Sequence, residues 1–342
     1  MSPESVPVIL SLVVPCFNEA AVLPQTHRRI MAALGQIPGL ELECIYVNDG
    51  SSDGTLDLLR ELEARHPNVV VLDFSRNFGH QAAVTAGMDA ACGEVVVIID
   101  ADLQDPPEVI PLMLEKWRQG YQVVYGVRTR RKESLPKVLA YGLFYRIMRA
   151  VANIDVPLDS GDFALLDRKV VEVMRALPEN NRFVRGLRAW SGFRQTGLVY
   201  QRQERAGGES KYTLRKLLRL AMDGIFNFST APLSLIFLAG LFISTAAILA
   251  MLVIVVSHWY GFTLFGHRLA DAPGFTSLIL AILFFSGVQL ISIGILGEYL
   301  GRVYQEVKRR PPYVLNSPPR PRESAAPAGP HCADPPRGDP QP

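Results

Sequence analysis

The chain is poor in cysteine: four in 342 residues, Cys16, Cys44, Cys92 and Cys332, with no CxxC pair among them. That scatter argues against a thiolate zinc site and against a disulfide framework, and leaves free thiols in a reducing compartment as the expectation. The chain also lacks an excess of charge of either sign. Its 35 Lys and Arg against 33 Asp and Glu leave a net charge of +2, so there is no global electrostatic case for a nucleic-acid partner. No basic stretch leading into an apolar core opens the sequence, and no signal peptide is expected. The length suffices for a full α/β domain plus something else, and the apolar residues concentrate in the C-terminal third.

What is present begins with "VVVIIDADLQDPPE", Val95–Glu108. Five apolar β-branched residues run into Asp100, Ala101 and Asp102. Residues i and i+2 of an extended chain face the same side, so both carboxylates are expected together where a buried strand meets solvent, with Gln104 as a neutral oxygen donor nearby. Hard oxygen ligands beside a diphosphate suit Mg2+ or Mn2+. A strand ending in a solvated acidic turn fits the same pattern, and the motif alone does not separate the two. Further strands are expected at Ile9–Pro15, Leu42–Val47, Val69–Phe74 and Tyr121–Tyr125, with helical segments between them. That rhythm gives a mostly parallel sheet with helices on both faces, which binds ligands outside the carboxyl ends of its strands. The polar clusters at Pro15–Glu19, Asn48–Asp53, Ser75–His80 and Asp100–Asp105 all fall at such ends. Asn18 is expected to cap the first helix, and Ser52 or Asp53 the second. Leu158–Val171 reads as turn, short strand and helix, Pro178–Trp190 as a helix start, and Gln195–Gln203 as an edge strand. Glu204–Tyr212 reads as a loop that folds over a site.

Leu214–Phe228 carries Arg215, Lys216 and Arg219 among leucines, a basic amphipathic helix suited to a membrane surface. Pro232–Ser257 and Pro273–Gly297 are free of charge, each long enough to cross a bilayer at roughly 20 residues per span. Basic residues flank this hairpin on both outer sides, Lys211 to Arg219 and Arg302 to Arg310, which puts both flanks in the cytoplasm and the short link beyond the membrane. From Ser317 the chain is Pro-rich with few apolar residues, the composition of a disordered tail. A soluble enzyme acting on two soluble substrates needs no such anchor; a membrane-embedded substrate explains it.

Together "VVPCFNEA", "VNDGSSDGT", "DADLQDPPE", "YGVRTRR", "SGDF", "NRFVRG" and "GESKY" resemble the polyprenyl-phosphate glycosyltransferases, inverting family 2 enzymes of the GT-A fold. The nearest subgroup is the bacterial undecaprenyl-phosphate glucosyltransferase type, with dolichol-phosphate mannose synthase more distant. The resemblance covers roughly residues 8–315. It implies a GT-A-type, Rossmann-like α/β domain in the cytoplasm over residues 1–210, an amphipathic juxtamembrane helix over 211–230, two transmembrane helices with a short extracytoplasmic link over 231–300, and a basic segment with a disordered tail over 301–342. It further implies a multi-pass protein of the bacterial inner membrane, a nucleotide-sugar donor (UDP-glucose favoured) and a polyprenyl-phosphate acceptor. So small a membrane part leads us to expect a homo-oligomer, with a tetramer among the options, and a separate flippase.

Residue by residue, the resemblance places Pro15, Asn18, Glu19 and Asp49 at the nucleotide, with Arg76 near it. Asp100, Asp102 and Gln104 become metal ligands. Arg128 and Arg131 face the donor or lipid phosphate, and Arg205, Ser210 and Lys211 lie on a loop near the phosphates. Asp162 occupies the position of the proposed base; as a plain residue it also fits a cap at a Gly turn. The family pattern is broken at Ala164, where many relatives carry Arg. A phosphate monoester with a second pKa of about 6 is already largely an anion at neutral pH, so an acceptor phosphate has little need of a base. Asp162 is therefore expected to orient the acceptor. Two other functions compete: a processive polysaccharide synthase of the same fold, for which "GLRAW" fails the QxxRW pattern, and a non-catalytic sugar-nucleotide-binding scaffold, against which the intact acids and arginines argue.

Overall fold

The computed structural model describes residues 8–128, 160–179, 182–201, 231–260 and 274–318. Its β-branched runs become strands β1 (Val8–Cys16), β2 (Leu40–Asn48), β3 (Val69–Asp73), β4 (Val95–Ile98), β5 (Val123–Arg128), β6 (Ser160–Asp167) and β7 (Gln195–Tyr200). Between them lie helices α1 (Leu23–Leu34), α2 (Thr55–Arg65), α3 (His80–Ala90), α4 (Ile110–Arg118), α5 (Arg168–Ala176) and α6 (Val184–Trp190). The strands form one sheet in the order β3-β2-β1-β4-β6-β5-β7. All pairings are parallel except those of β6, which runs antiparallel to both β4 and β5. This is the expected mostly parallel, Rossmann-like sheet of the GT-A type. The weakly alternating segment at Gln195 does form an edge strand, paired only with β5.

The inner strands are buried on both faces, which is why they read as unbroken apolar runs rather than alternating ones. On one face Leu12, Val14, Tyr46, Val97 and Leu165 pack with Ile30 and Leu34 of α1 and Ile110 and Met113 of α4. Each such side chain contributes roughly 1.5–3 kcal/mol by leaving water. On the other face α3 lies directly on β1: a Cβ at Gly87 would come within 2.2 Å of Val13 Cγ1. Only glycine permits that approach, and it fixes the helix whose first residues, His80 and Gln81, enter the site.

Two helix-cap expectations fail. Asn18 takes a left-handed conformation (φ 56°) in the loop after β1, and α1 begins five residues later with Val22 at its cap and a proline in its first turn. The cap of α2 is Gly54, without a side-chain hydrogen bond; Asp53 accepts from the amide of Thr55, the first helical residue. Cys16 and Cys44 are buried free thiols, as expected.

The described residues fall into two compact units. One holds the sheet, α1 to α6 and the segment from Arg309 onward. The other holds two long helices, α7 (Ala231–Tyr260) and α8 (Phe275–Val307), in which both uncharged runs lie except for Pro273 and Gly274. Among the described residues one stretch, Phe284–Val307, is long and apolar enough to cross a membrane, and α7 contains a shorter apolar stretch, Leu233–Ile243. At 1.5 Å per residue, the 24 residues of the longer stretch reach about 36 Å, against a hydrocarbon core of about 30 Å. Leu235, Phe237, Phe242, Leu290 and Ile291 are all exposed on these helices. The expected amphipathic helix at 211–230 and the loop at 204–212 lie outside the described residues.

Candidate functional site

Strand order reverses between β1 and β4, and that switch point is where open α/β sheets form their crevice. A cavity of about 290 Å³ opens there, lined by Pro15, Cys16, Phe17 and Glu19 after β1, Asp49 after β2, Asn77, Gly79, His80 and Ala83 after β3, and Asp100, Ala101 and Asp102 after β4. Asp100 and Asp102 do share this wall, but not as an extended strand end. β4 stops at Ile98, and Leu103 takes a left-handed conformation (φ 59°) that folds the motif into a tight turn. Two bonds hold the turn: the Thr26 hydroxyl of α1 donates to the Ala101 carbonyl at 2.7 Å, and the Gln104 amide donates to Asp102 Oδ1 at 3.1 Å. Gln104 is not among the lining residues. Burial raises the Asp100 pKa; His80 opposes the rise and the carboxylates of Asp105, Asp162 and Asp102 add to it, leaving the acid pushed up to about 6.

The cluster after β2 works mainly as a brace. Ser51 Oγ accepts from the Asn18 amide at 3.0 Å, Asn18 Oδ1 accepts from the Ser52 amide at 2.8 Å, and Thr55 Oγ1 accepts from the Glu19 amide at 2.9 Å. The loop after β1 is thereby splinted, with Asn18 outside the cavity lining and Pro15 and Glu19 in it. Asp49 is buried, and its carboxylate accepts from the amides of Phe78 at 2.7 Å and Gly79 at 3.0 and 3.1 Å. Its pKa is raised by burial, partly offset by those two donors. Arg76 lies outside the lining, folded over the Phe78 ring at 3.9 Å.

Because β6 runs antiparallel, its first residues lie beside the last residues of its neighbours, and Asp162 reaches the same end of the sheet. Asp162 is only 7% exposed. Arg185 of α6 donates to it twice, Nε to Oδ1 at 2.7 Å and Nη2 to Oδ2 at 3.1 Å. Gln81 Nε2 donates to Oδ2 at 3.3 Å, and His80 Nε2 lies 3.2 Å from the same oxygen. Burial alone would raise the Asp162 pKa; the His80 hydrogen bond and the Arg185 guanidinium overcome it and hold the acid well below the usual carboxylate range. His80 Nε2 also stands 3.8 Å from Asp100 Oδ1. Burial would lower the His80 pKa, but the hydrogen bond to Asp162 and the charges of Asp100 and Asp162 raise it. Behind them Arg188 is fully buried, its pKa lowered by burial to about 10, with the Asp162 charge opposing that fall.

Arg128 ends β5 next to this group. Its Nη2 pairs with Asp105 Oδ2 at 3.6 Å, and its Nε donates to the Tyr200 hydroxyl at 3.4 Å. That hydroxyl donates in turn to Asp105 Oδ1. Asp105 and Tyr200 are both buried. Gly161 leaves room for the guanidinium, since a Cβ there would lie 2.8 Å from Arg128 Nη2.

Residues 11–175 match the family described as glycosyl transferase family 2. An uncharacterized glycosyltransferase, YkcC of Bacillus subtilis (strain 168), is 47% identical over 306 residues, spanning 89% of this chain and 92% of the relative. The chain belongs to glycosyl transferase family 2. A bactoprenol glucosyl transferase of Shigella phage SfII is 39% identical to this family 2 chain over 307 residues, covering 90% of it and 97% of the phage protein. Among solved structures, a mannosyltransferase of Pyrobaculum calidifontis in complex with GDP-Man and Mn2+ superposes with a TM-score of 0.46 at 17% identity, covering 89% of this chain and 88% of that one.

In this glycosyltransferase the structure brings Pro15, Glu19, Asp49, Asp100 and Asp102 to one cavity, and Asp162 next to it through His80. Arg131, Arg205, Ser210 and Lys211 lie outside the described residues. Among the site residues to which the sequence attaches no role are Arg185, inside "NRFVRG", Asp105, within the strand-end cluster Asp100–Asp105, and Tyr200, within the expected edge strand Gln195–Gln203. The signal for Arg185 was present, since a buried aspartate after a Gly turn needs a cation; which of the many arginines supplies it depends on the tertiary fold. The break at Ala164 has a plain setting: it is fully buried in β6, paired with Ile98 and Tyr125.

Proposed function

We propose that this enzyme transfers a sugar, glucose favoured, from a nucleotide-diphosphate donor to a membrane polyprenyl phosphate with inversion, giving a lipid-linked sugar for the cell envelope. The observation that carries the reading is the likeness to bactoprenol glucosyl transferases along 90% of the chain, through the apolar helices as well as the sheet. The switch-point cavity is the place for the donor, with Pro15, Glu19 and Asp49 toward the nucleotide. The exposed apolar surface of α7 and α8 supports a hairpin in the membrane, with the sheet on the cytoplasmic side. Two helices are too few to enclose a path for a sugar headgroup, so a separate flippase and self-association of the hairpins go with this reading.

The acids fit a divalent cation. Asp100 and Asp102 share one wall, and the carboxylates gathered around Asp100 leave an excess of negative charge. Among the described residues no group of three or more His, Cys, Asp or Glu could hold a metal ion, which suits Mg2+ or Mn2+ held by two carboxylates with diphosphate oxygens completing the shell. Gln104 remains a candidate third ligand from the chain. The bound ion would supply charge stabilisation for the leaving diphosphate. Arg128, held by Asp105 and Tyr200, presents a planar guanidinium suited to phosphate oxygens. Asp162 is a weak base while Arg185 holds its proton affinity down. Its work in this reading is to keep Arg185 and His80 in place beside the acceptor phosphate, which attacks as the anion it already is.

The test is a panel of labelled nucleotide sugars offered to membranes containing the full chain, undecaprenyl phosphate and Mn2+ or Mg2+. Label from UDP-glucose in an organic-extractable, mild-acid-labile product is the expected outcome. Label in polymer would point to a processive synthase, and no transfer from any donor would leave only a binding role.

A further inference from the structure

The chain does not leave the sheet for good at α7. Six residues after Val307, at Tyr313, it lies against the sheet again, at the end of edge strand β3. Leu315 forms an antiparallel bridge with Phe74. The Ser75 amide donates to the Val314 carbonyl at 2.9 Å, and the Asn316 amide to the Asp73 carbonyl at 2.8 Å. The Asn316 side chain donates to Asp73 Oδ2 at 2.8 Å and to the Phe74 carbonyl at 3.3 Å. Tyr313 stacks on Phe74, with centroids 5.2 Å apart and planes 10° from parallel, and its hydroxyl donates to Asp89 Oδ2 of α3 at 3.1 Å.

These contacts lead directly to the cavity. Asp73 Oδ1 accepts from Asn48 Nδ2 at 2.7 Å, one residue before Asp49. Phe74 packs edge-on against Phe78 at 5.6 Å, and the Phe78 amide is one of the donors to Asp49. Asn77 Nδ2 donates to the Asp49 carbonyl at 3.1 Å. The loop Ser75–Gly79 is therefore gripped from two sides: by Asp49 within the cavity and by residues more than two hundred positions later on the outside. Asn77 and Gly79 of this loop, and His80 directly after it, wall the cavity.

We propose that Tyr313–Asn316 are positioning residues for the donor pocket, a strap that fixes Asp73 and Phe74 and so holds the loop in its donor-binding shape. The inference rests on reading the cavity as the nucleotide-sugar site. Because the strap follows α8 so closely in the chain, donor binding becomes tied to the integrity of the chain beyond the last long helix. A strap that merely covers an open sheet edge would affect folding but not one substrate selectively.

The experiment uses the full chain, a chain ending at Pro318, a chain ending at Arg310, and the full-length point variants Asn316→Ala and Tyr313→Phe. Amide hydrogen exchange is followed at residues 75–79 without ligand, and KM for UDP-glucose with Mn2+ is measured alongside KM for the lipid acceptor. The chain ending at Pro318 should match the full chain in both. Loss of the strap should speed exchange in the loop at least tenfold and raise the donor KM about tenfold, with the acceptor KM unchanged. Asn316→Ala and Tyr313→Phe should show the same pattern at a smaller, several-fold size, and they decide the matter if the shorter chain does not accumulate. Unchanged exchange in these variants, or a fall in kcat at constant donor KM, overturns the proposal. If the full chain itself takes no UDP-sugar, the donor reading falls, while exchange at residues 75–79 still decides whether the strap holds the loop.

Discussion

Asp100 and Asp162 stand on either side of His80, each near the ends of the central strands, and their surroundings act in opposite directions. At Asp100 burial is the main cause; His80 opposes it, the carboxylates of Asp105, Asp162 and Asp102 add to it, and the pKa is pushed up to about 6. Around Asp162 the neighbours are Arg185, His80 and, behind them, Arg188, and its proton affinity is driven far down. Burial pushes both acids the same way, so it is the sign of the neighbouring charge that separates them. One wall of the site carries an unbalanced negative charge, suited to a cation that arrives with the substrate. The other is neutralised by the protein's own arginines, suited to holding geometry. Two carboxylates with environments set apart in this way point to two different tasks.

The largest effect should come from the acidic wall. Asp102→Asn is expected to lower sugar transfer by about a thousandfold or more, since it removes one of two carboxylates that would hold the cation, while the thermal melt stays close to that of the unaltered chain. Chelation by EDTA should abolish binding of UDP in the same protein, and Mn2+ or Mg2+ should restore it. Transfer by Asp102→Asn within tenfold of normal would remove the acidic wall from the chemistry and undo the contrast with Asp162.

Asp162→Asn should behave differently because it breaks an internal ion pair. Transfer should fall about ten- to a hundredfold by a similar factor across neutral and mildly acidic pH, where loss of a true base would cost more and change the slope of the profile. Stability should fall too. Removing one member of a buried pair costs about 3–5 kcal/mol; with Arg185 about a third exposed, about 2–3 kcal/mol is the expectation here. The sign with pH follows from the lowered pKa. The Asp162 contribution is fully present above the unfolded carboxylate value near 3.9 and fades as pH falls toward the lower folded value. Near neutrality the gap in melting temperature between Asp162→Asn and the unaltered chain should grow as pH falls and His80 protonates, because the Asp162 carboxylate also supports the raised His80 pKa; below about pH 4 it should narrow as Asp162 itself loses its charge. A gap that widens below about pH 4 contradicts the ion pair.

The same contrast explains what the sequence showed and what it concealed. The strands were legible because both faces of the inner sheet are buried, so Val95–Ile98 or Val69–Asp73 have no polar alternation to blur them. Asp100, Asp102 and Asp49 were legible because acids at strand ends stand out from an apolar run. The shape of the turn was not, since Leu103 in a left-handed conformation carries no composition signal. Nor were the partners. Arg185 is 23 residues from Asp162, and Tyr200 is 95 from Asp105. Local pattern contains no information about contacts at that range, and their identity depended on β6 entering the sheet backwards.

The smallest expected effect concerns Arg128, which stands between the two walls and is held by buried groups on both sides. Tyr200→Phe removes the hydroxyl that donates to Asp105 and accepts from Arg128 Nε. A buried carboxylate that loses one donor costs about 1–2 kcal/mol, which lowers the melting temperature by about 2–8 °C. Without that hydroxyl Arg128 is less firmly aimed, and the substrate KM values should rise several-fold with kcat nearly kept. Gly161→Ala reaches the same guanidinium from the opposite side, because its Cβ would meet Arg128 Nη2 at 2.8 Å, and the end of a long side chain is free to swing away. The two variants should thus share one kinetic signature, higher KM at near-normal kcat, although only Tyr200→Phe loses a hydrogen bond. Normal KM values in both would mean that Arg128 serves the fold alone, and the phosphate contact would have to come from another arginine.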